Sequence, residues 1–371
     1  MTDLEALVWL NLSGVVGSAL LRRLRERAPL GEICRLSRRD LERVPGVGPL
    51  TARAILEAPP PEPELERAAR LGIAILTCTD PGFPPALRAL YDYPLVLYRR
   101  GELREQDALA LGIVGSRRCT DYGRRQAARF ARDLAGRGLT IVSGLARGVD
   151  TAAHRGALQA RGGRTLAVLG SGLLRVYPPE NARLLQEICD RGAALSEFPL
   201  TCGPRTENFP RRNRLISGLS LGVLVVEAAE RSGALITADW ALEQGREVFC
   251  VPGSVECPLS RGCHRLIQQG AKLAGHPDDV LEEIPAFALE PAGGTGGTLR
   301  TDPAAALSPL ERAVLRRTGP TPRTAEEIAL EARLPVTPVE RVLAALAGRG
   351  LVRETGESGY ARREGPALRA P

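Results

Sequence analysis

The pattern of apolar and polar positions divides the chain into three blocks, of which the middle one is mixed and the outer two are helical. Between residues 65 and 284, short apolar runs of strand length alternate with stretches in which apolar residues recur every three or four positions. The apolar runs are LGIAIL, ALGIVGS, LTIVSGLA, RTLAVLGSG, AALSEF, LGVLVVEAA and REVFCVPGS. Buried strands that alternate with helices are typical of right-handed crossovers, so the middle block predicts an α/β fold with a doubly wound, mostly parallel sheet.

The first block predicts a small helical domain. Residues 1–57 contain short helical patterns, and VPGVGPLTARAIL has the form of a SAM-like helix-hairpin-helix, with Gly46 and Gly48 leaving backbone N–H groups free. Such hairpins bind DNA phosphates without reading sequence, but the same pattern also suits a helical module that packs without contacting DNA. The proline cluster at 59–64 then predicts a linker.

The last block predicts a linker followed by a second small domain. Residues 285–305 have no periodicity and are rich in Gly, Pro and Thr, which is typical of a flexible linker. Residues 306–371 contain three helical patterns, two of them preceded by Ser-Pro or Thr-Pro, and the third ends at a glycine. A hairpin-like segment follows, so we predict a winged-helix domain.

Composition narrows the function classes only a little. The chain has 371 residues and a net charge of +7, which favours an anionic partner. Lys272 is the only lysine, so the abundant arginines also reflect a compositional bias, and their positions matter more than their number. No apolar run approaches the roughly 20 residues that span a bilayer, and the acidic start lacks the basic region of an export signal. We therefore expect a cytoplasmic protein without a membrane partner.

The cysteines do not indicate a disulfide framework or a metal site. The eight cysteines are scattered without paired short spacings, which is typical of reduced cytosolic thiols. One cluster, made of Cys257, Cys263 and His264, contains ligand types, but its spacing fits no common zinc pattern. We predict no metal.

The ends of the predicted strands carry small residues and arginines, a combination that favours anion binding. Carboxyl ends of parallel strands form the ligand edge of a doubly wound sheet, where exposed N–H groups can donate to phosphate. The candidate residues at these ends are Gly115, Ser116, Arg117, Arg118, Ser143, Gly144, Arg147 and Gly170. The alternative is tight strand-to-helix packing, which also requires glycine. Neither the dinucleotide fingerprint nor the Walker lysine motif is present, so a mononucleotide or a polynucleotide backbone remains as the anionic ligand.

The segment RTENFPRRNRLISG favours the polynucleotide. It places an aromatic ring, Phe209, among the arginines Arg205, Arg211, Arg212 and Arg214. Single strands require this combination, because the ring stacks on a base while the guanidinium groups follow the phosphates. The alternative places Phe209 in the core and the arginines on a solvated helix face.

Two sets of residues keep an enzyme open. Asp150 and His154 lie four positions apart on one face of a predicted helix and could form an acid–base pair, but a helix cap and a polar packing contact are the more common roles. Glu227 and Glu230 lie near a glycine-containing turn, as the acids of a nucleoside monophosphate hydrolase would. A nucleotide-processing enzyme is therefore the alternative hypothesis, and a transcription regulator that uses the last block is a third.

Several long motifs in order resemble the DprA/Smf family of DNA-processing proteins, nearly continuously from about residue 70 to 284. They are GIVGSRRCTDYG, SGLARGVDTAAHRGAL, LAVLGSGLLRVYPPEN, SEFP, NFPRRNRLISGLS, VVEAAERSGALITADWALEQGREVFCVPGS and SRGCHRLIQQGAKL. The resemblance implies an extended Rossmann-like sheet in a cytoplasmic bacterial homodimer. It also implies a function: binding the single-stranded DNA taken up in natural transformation, protecting it and loading the recombinase RecA onto it. It implies neither a catalytic activity nor a cofactor.

The resemblance transfers roles to particular residues. The arginine of the family's G-S-R turn falls on Arg117, and the F-P-x-R-N-R motif falls on Phe209, Arg212, Asn213 and Arg214, with Arg211 at its variable position. The basic residue before the family's Y-P motif falls on Arg175. This sequence departs from the family at Leu174, where relatives usually have aspartate. Duplex DNA contacts through the terminal domains, the dimer interface and the RecA contact are not placed by these motifs.

Overall fold

The fold centres on one nine-stranded sheet, shown in a computed structural model that describes residues 1–284, 307, 309–355 and 359–362. The strand order is β1-β2-β6-β5-β4-β3-β7-β8-β9. Its strands are β1 (Ala74–Thr77), β2 (Val96–Gly101), β3 (Ala110–Gly115), β4 (Thr140–Ser143), β5 (Arg164–Val168), β6 (Ala193–Ser196), β7 (Gly222–Val226), β8 (Glu247–Cys250) and β9 (Lys272–Leu273). From β6 to β9 every neighbouring pair is parallel, so the predicted mostly parallel α/β sheet is confirmed.

The helices connect the strands and cover both faces of the sheet. In and before the sheet they are α1 (Asp3–Leu12), α2 (Ser18–Arg25), α3 (Arg38–Glu42), α4 (Pro49–Leu56), α5 (Glu62–Arg70), α6 (Pro85–Arg88), α7 (Asp121–Gly136), α8 (Val149–Gln159), α9 (Ala182–Arg191), α10 (Asn208–Gly218), α11 (Gly233–Glu243), α12 (Arg261–Gln268) and α13 (Pro277–Leu281). Four 3₁₀ turns accompany them at Leu30–Arg35, Glu105–Ala108, Pro179–Asn181 and Pro258–Ser260.

A strand forms at each of the seven apolar runs, and two strands of this sheet, β2 and β9, were not predicted. β2 pairs antiparallel with both β1 and β6, so one edge of the sheet is antiparallel. β2 was missed because its first three residues are buried and its last three are increasingly exposed, which gives no strand-like period. β9 has only two residues, too few for any pattern.

The chain reverses its direction of travel across the sheet at β3. β4, β5 and β6 follow on one side of β3, and β7 and β8 lie on the other side. The loops that leave the carboxyl ends of β3 and β7 therefore diverge and leave a crevice between them. Ligands of doubly wound sheets bind in such a crevice.

The N-terminal helices share a core with the antiparallel edge of the sheet. Buried residues of α1 and α2 form one apolar cluster with residues such as Leu95 and Tyr98 near and on β2. The predicted linker at 59–64 is partly helical, because α5 begins at Glu62 and proline is tolerated in a first helical turn. Glu64 on this helix accepts a hydrogen bond from the Leu200 backbone N–H at 2.6 Å.

The C-terminal residues form three helices and a small sheet. The helices are α14 (Pro309–Arg317), α15 (Ala325–Ala332) and α16 (Val336–Gly348), and the strands are β10 (Arg323–Thr324), β11 (Val352–Thr355) and β12 (Gly359–Arg362). All pairings in this three-stranded sheet are antiparallel. The predicted linker at 285–305 lies outside the described residues.

Candidate functional site

A cleft of about 680 Å³ occupies the crevice between the carboxyl ends of β3 and β7. The turn after β3, the first half of α10 and the start of α11 line it. Its polar lining residues include Ser116, Arg117, Arg118, Asp150, Thr206, Arg212, Asn213, Ser232 and Thr237. The cleft therefore brings together two of the predicted motifs, GSRR and FPRRNR, which are about 90 residues apart in the sequence.

The turn after β3 presents two arginines to solvent at the cleft. A Cβ atom at Gly115 would lie 1.9 Å from the Val226 carbonyl oxygen, so only glycine permits this close approach of β3 and β7. Ser116 donates its backbone N–H to the Glu227 carbonyl at 2.7 Å, and its Oγ accepts from the Arg118 N–H at 3.1 Å. These bonds hold the turn, while Arg117 and Arg118 remain exposed.

Glu227, at the end of β7, acts as a structural carboxylate. It is 4 % exposed, and its Oε2 accepts a hydrogen bond from the Thr120 backbone N–H at 2.8 Å, while Oε1 accepts from the Thr120 hydroxyl. Thr120 caps α7, so the carboxylate stabilises the start of that helix. Glu230 is exposed and does not line the cleft. The geometry gives these two acids no hydrolytic arrangement.

The turn after β4 is closed by its own carboxylate. Asp150 Oδ2 accepts the backbone N–H groups of Gly144 at 3.1 Å and Ala146 at 3.2 Å, so neither amide is free for a ligand. Ser143 is buried and donates its hydroxyl to the Ile113 carbonyl at 2.7 Å. The anion site predicted at Ser143 and Gly144 is therefore occupied by the protein's own groups, because the Asp150 carboxylate already accepts the amide hydrogens of this turn.

Arg147 leaves the same turn and is exposed, but it is already paired. Its Nε lies in ion-pair contact with Glu180 Oε1, and its guanidinium carbon lies 5.8 Å from the centroid of the Tyr177 ring. This pair is half exposed on both sides, so it is worth little in water and can be broken by a competing anion.

Arg212 is a buried cation beneath the cleft. It is 3 % exposed, and its Nη1 donates to the Gly144 carbonyl at 2.8 Å and to the Val168 carbonyl. Its Nε is buried and has no hydrogen-bond partner among the described residues. Burial lowers the pKa of Arg212 to about 10; Asp150 opposes this shift and the charge of Arg117 adds to it. An orphaned donor on a charged group that lines a cleft favours an anionic ligand.

Phe209 is held between small and cationic neighbours at the cleft. The Arg117 guanidinium carbon lies 4.9 Å from the centroid of its ring, and the Tyr177 ring lies 5.7 Å away at 52°. A Cβ atom at Gly170 would lie 2.7 Å from Phe209 Cδ1, so that glycine makes room for the ring. Phe209 is only partly buried, and the arginine over its ring is Arg117 of the turn after β3 rather than one of the four arginines of its own segment.

Arg214, further along α10, points away from the cleft. Its Nη1 and Nη2 donate to the two carboxylate oxygens of Glu197 at 2.8 and 2.7 Å, and its Nε contacts Asp92 Oδ2 at 3.1 Å. Arg214 and Glu197 are both buried, and Arg214 is absent from the cleft lining. Arg214 was predicted to contact a ligand directly, but in the structure its guanidinium forms a bidentate ion pair with Glu197 that anchors α10.

The other predicted residues take three different positions. Asn213 lines the cleft and donates Nδ2 to the Gly233 carbonyl at 3.2 Å, which joins α10 to the start of α11. Arg211 is exposed, with its guanidinium carbon 5.6 Å from the centroid of the Phe198 ring. Arg175 and Arg205 are exposed on loops and do not line the cleft.

Asp150 and His154 do not form a pair. The Nδ1 atom of His154 lies 2.7 Å from the Thr165 hydroxyl, which itself donates to the Ile141 carbonyl, so Nδ1 carries the proton. Burial lowers the pKa of His154 to about 3, and Arg212 adds to the effect. Burial also raises the pKa of Asp150, against the charge of Arg212. An acid–base role is not supported, since His154 is fully buried.

Sequence reasoning missed several residues of the cleft. Tyr177, next to a cis peptide bond with Pro178, contributes its ring to the wall beside Phe209. Ser232 caps α11 by accepting the Ala234 N–H, and Gly233 follows it at the cleft. The Ser-Gly pair before an apolar helical run was a usable signal for a helix start at the ligand edge.

Among the described residues, no group of three or more His, Cys, Asp or Glu side chains is placed to hold a metal ion. In the same part of the chain, no helix is long and apolar enough to cross a bilayer.

Comparison with known proteins identifies the family. The sequence profile of the DNA recombination-mediator protein A family matches residues 74–285, more than half of the chain. The chain belongs to this family. Within it, the chain is 53% identical to Protein Smf of Escherichia coli over 203 residues and 42% identical to DNA processing protein DprA of Bacillus subtilis over 215 residues. These matches cover 54% and 58% of this chain, and 54% and 72% of the two relatives, so about half of the Escherichia coli protein is matched.

Two solved structures of family members are similar. The structure of DprA from Streptococcus pneumoniae matches with a TM-score of 0.66 and 36% identity, over 76% of this chain and 98% of that one. DprA from Helicobacter pylori, whose structure describes a single-stranded DNA binding mode, matches with a TM-score of 0.51 and 31% identity, over 56% of this chain and 93% of that one.

Proposed function

We propose that this protein binds single-stranded DNA taken up during natural transformation, protects it and loads the recombinase RecA onto it. Family membership supports a role in DNA processing and recombination. The single-strand binding described for the Helicobacter pylori relative supports the choice of an unpaired strand as the ligand.

The observation that carries the proposal is the Arg117–Phe209 pair above Arg212. A partly exposed ring with a guanidinium group 4.9 Å from its centroid offers a base a stacking face and a neighbouring phosphate a cation. Beneath it, Arg212 holds a buried positive charge with an unpartnered Nε among the described residues. A cation, an aromatic face and an orphaned donor in one cleft match the backbone and base of a single strand.

The predicted residues divide into contacts and supports. We propose that Arg117, Arg118, Phe209 and Arg212 contact the strand, with Gly115 and Ser116 shaping the turn that presents them. Arg147, Arg175, Arg205 and Arg211 are exposed cations that extend the positive surface. Ser143, Gly144, Gly170, Asn213 and Arg214 position these groups, because each is buried and already engaged or tightly packed.

Localisation, oligomeric state and the roles of the terminal domains are proposed from family membership and not from the geometry of the cleft. We propose that the protein works in the cytoplasm as a homodimer and without a cofactor or catalytic step. The helical N-terminal residues are proposed as a SAM-like helix-hairpin-helix domain, and the three C-terminal helices with their small sheet as a winged helix. Contact of either terminal domain with duplex DNA belongs to the same proposal.

The test is binding of fluorescent oligo-dT to the full chain, measured against salt concentration. Arg117→Ala should weaken binding about tenfold, because a charge-assisted phosphate contact and one face of the stacking pair are lost. It should also flatten the plot of log K against log salt by about 0.7, the value of one single-strand phosphate contact. Phe209→Ala should weaken binding with little change in that slope, because stacking releases no counterions.

Arg183→Ala is the matched control, since Arg183 is 93% exposed on α9, contacts Glu187 in a surface ion pair and does not line the cleft. It should bind like the parent. Parent-like binding by both Arg117→Ala and Phe209→Ala would place the strand elsewhere, and equal affinity for duplex and single strand would overturn the choice of ligand.

A further inference from the structure

Tyr91 is an exposed aromatic side chain outside the cleft. It is 80% exposed, which sets it apart from the other described aromatic residues, since the next, Tyr122, is 37% exposed and is bonded through its hydroxyl to the Pro252 carbonyl. Exposure of a large ring to water contributes nothing to the core, so packing does not account for its position. A ring of this kind is a surface available to a ligand.

The Tyr91 ring carries a guanidinium group, as Phe209 does. The Arg22 guanidinium carbon lies 5.0 Å from the centroid of the Tyr91 ring and 5.8 Å from that of Tyr93. The corresponding distance in the cleft, from Arg117 to Phe209, is 4.9 Å. Arg22 is exposed, and the described residues place no carboxylate in ion-pair contact with it. Both pairs therefore combine a stacking face with an uncompensated cation.

The loop that carries Tyr91 is hydrogen-bonded to a helix on each side. The Tyr91 carbonyl accepts hydrogen bonds from the Ser18 hydroxyl at 2.9 Å and from Arg22 Nη1 at 3.4 Å, both on α2. The next residue, Asp92, binds Arg214 of α10 through its carbonyl at 3.0 Å and its carboxylate at 3.1 Å. A ring on an anchored backbone is preorganised, and a ligand then loses less entropy when it stacks.

Helix α10 connects the two aromatic pairs. Phe209 lies at its first turn and Arg214, the anchor of the Tyr91 loop, follows five residues later, a rise of roughly 7.5 Å along the helix axis. Arg211 lies between them and is exposed, with its Nε 3.6 Å from Glu197 Oε1 and its guanidinium carbon 5.6 Å from the centroid of the buried Phe198 ring. Helix α10 therefore carries Phe209 at its start and, through Arg214, holds the loop of Tyr91, with the exposed Arg211 between these two positions.

We propose that Tyr91 and Arg22 form a second stacking site for an unpaired base of the strand that occupies the cleft. The strand leaves the Phe209 pair, passes Arg211 along α10 and reaches the N-terminal helices. This inference rests on the proposed function and extends it, because it makes the footprint of the protein longer than the cleft and assigns the N-terminal block a contact with the unpaired strand itself.

The test compares short and long oligo-dT, of about 6 and about 20 nucleotides, on the full chain. Tyr91→Ala should weaken binding of the long oligomer about five- to tenfold, the loss of one stacked base, and leave the short oligomer unchanged. Tyr91→Phe should restore long-oligomer affinity, because the ring suffices for stacking. Tyr122→Ala is the control for loss of an exposed ring elsewhere and should change neither affinity.

A second measurement locates the contact directly. Long oligomers that carry 5-iodouridine should photo-cross-link to a peptide that contains Tyr91, and Tyr91→Ala should abolish that cross-link while retaining the one at Phe209. Parent-like affinity of Tyr91→Ala for both oligomers, with no cross-link at Tyr91, overturns the second site and leaves the cleft standing. A loss confined to duplex binding also overturns it. If the parent fails to bind even the short oligomer, the proposed function itself fails.

Discussion

The turns that leave β3 and β4 look alike in sequence and behave differently in the structure. Both combine small residues with an exposed arginine, as GSRR and SGLARG. After β3, the described residues place no side-chain carboxylate on the amides of the GSRR turn, and Arg117 lies above Phe209. After β4, Asp150 accepts two amides and Glu180 pairs with Arg147. The amides of Ser116 and Arg118 have neutral acceptors, and the two arginines of the GSRR turn carry no ion pair among the described residues, so we call it the open turn. The turn after β4 is the closed turn, because its own acids hold its amides and its arginine.

The difference shows that small residues at a strand end do not suffice for an anion site. What decides is whether the chain supplies a carboxylate that occupies the amides and the guanidinium group first. Asp150 belongs to α8, the helix that follows the closed turn. It holds the Gly144 amide, and Arg212 donates to the Gly144 carbonyl, so the closed turn positions Arg212. The open turn then presents the ligand-facing groups.

The largest effect is expected when the closed turn is opened. Asp150→Asn should lower the free energy of unfolding by about 3 kcal/mol, because the Gly144 and Ala146 amides lose a charged acceptor and the buried Arg212 loses its nearby negative charge. Urea denaturation measures the loss. Asp121→Asn, on a side chain that is 81% exposed, is the control and should cost less than about 0.5 kcal/mol. A similar small cost at Asp150 would contradict the closed turn.

His154, beneath the closed turn, should make stability depend on pH. Its folded pKa is lowered to about 3 from 6.5, so the unfolded state binds the proton first and stability is full above pH 6.5 and lost as pH falls below it. Between pH 7 and pH 5 this contributes about 2 kcal/mol. Unfolding of the parent and of His154→Gln at both pH values should show that the variant loses this part of the pH dependence, whatever its absolute stability. An unchanged slope would contradict the buried neutral imidazole.

Displacing the ring beside the open turn should weaken binding moderately. In Gly170→Ala, the new methyl group would lie 2.7 Å from Phe209 Cδ1 and push the ring away from Arg117. We expect about a fivefold loss of oligo-dT affinity, close to 1 kcal/mol. Gly203→Ala is the matched control, because nothing lies within 4 Å of the position that its new methyl group would take, and it should bind normally. Equal affinities would show that the position of the ring is unimportant.

The smallest effect should come from freeing the arginine of the closed turn. Glu180→Gln removes the partner of Arg147 and should raise oligo-dT affinity about two- to threefold, since surface ion pairs of this kind are weak. The salt slope should steepen by up to about 0.7 if Arg147 gains one phosphate. Glu187→Gln, which frees Arg183 on α9, changes the charge equally and separates a general electrostatic gain from a local one. The same gain in both variants would contradict a specific role for Arg147.

Sequence patterns were most informative where they reflect local physics. The seven apolar runs became strands because short buried runs between helical patterns allow little else. β2 and its antiparallel pairing were missed, because pairing is decided by what lies beside a strand rather than by the strand itself. Helix α5, which begins within the proline cluster, was also missed, because proline is as common in the first turn of a helix as in a linker.

The sequence places arginines beside an aromatic ring, but it does not separate the positions that those arginines take in the fold. Four arginines around Phe209 look equivalent in sequence, yet Arg212 and Arg214 are 3 % exposed and Arg205 and Arg211 lie on the surface. The helical period shows which of these arginines share a face of α10, but the face that packs against the sheet is known only from the structure. Glu197, which binds Arg214 from the end of β6, gave no signal that it was a partner.

The sequence alone determined the order of strands and helices, the glycines that permit close approach at strand ends, and the presence of arginines beside an aromatic ring. These follow from the local backbone and from the period of apolar residues. Only the tertiary structure decided which arginine faces the cleft, which turn is closed and which ring faces solvent. Those outcomes depend on contacts between residues tens of positions apart in the sequence, such as Phe209 with Arg117 and Tyr91 with Arg22. A single carboxylate at such a distance, as Glu197 is for Arg214, can occupy an arginine and give it a structural role instead of a ligand contact.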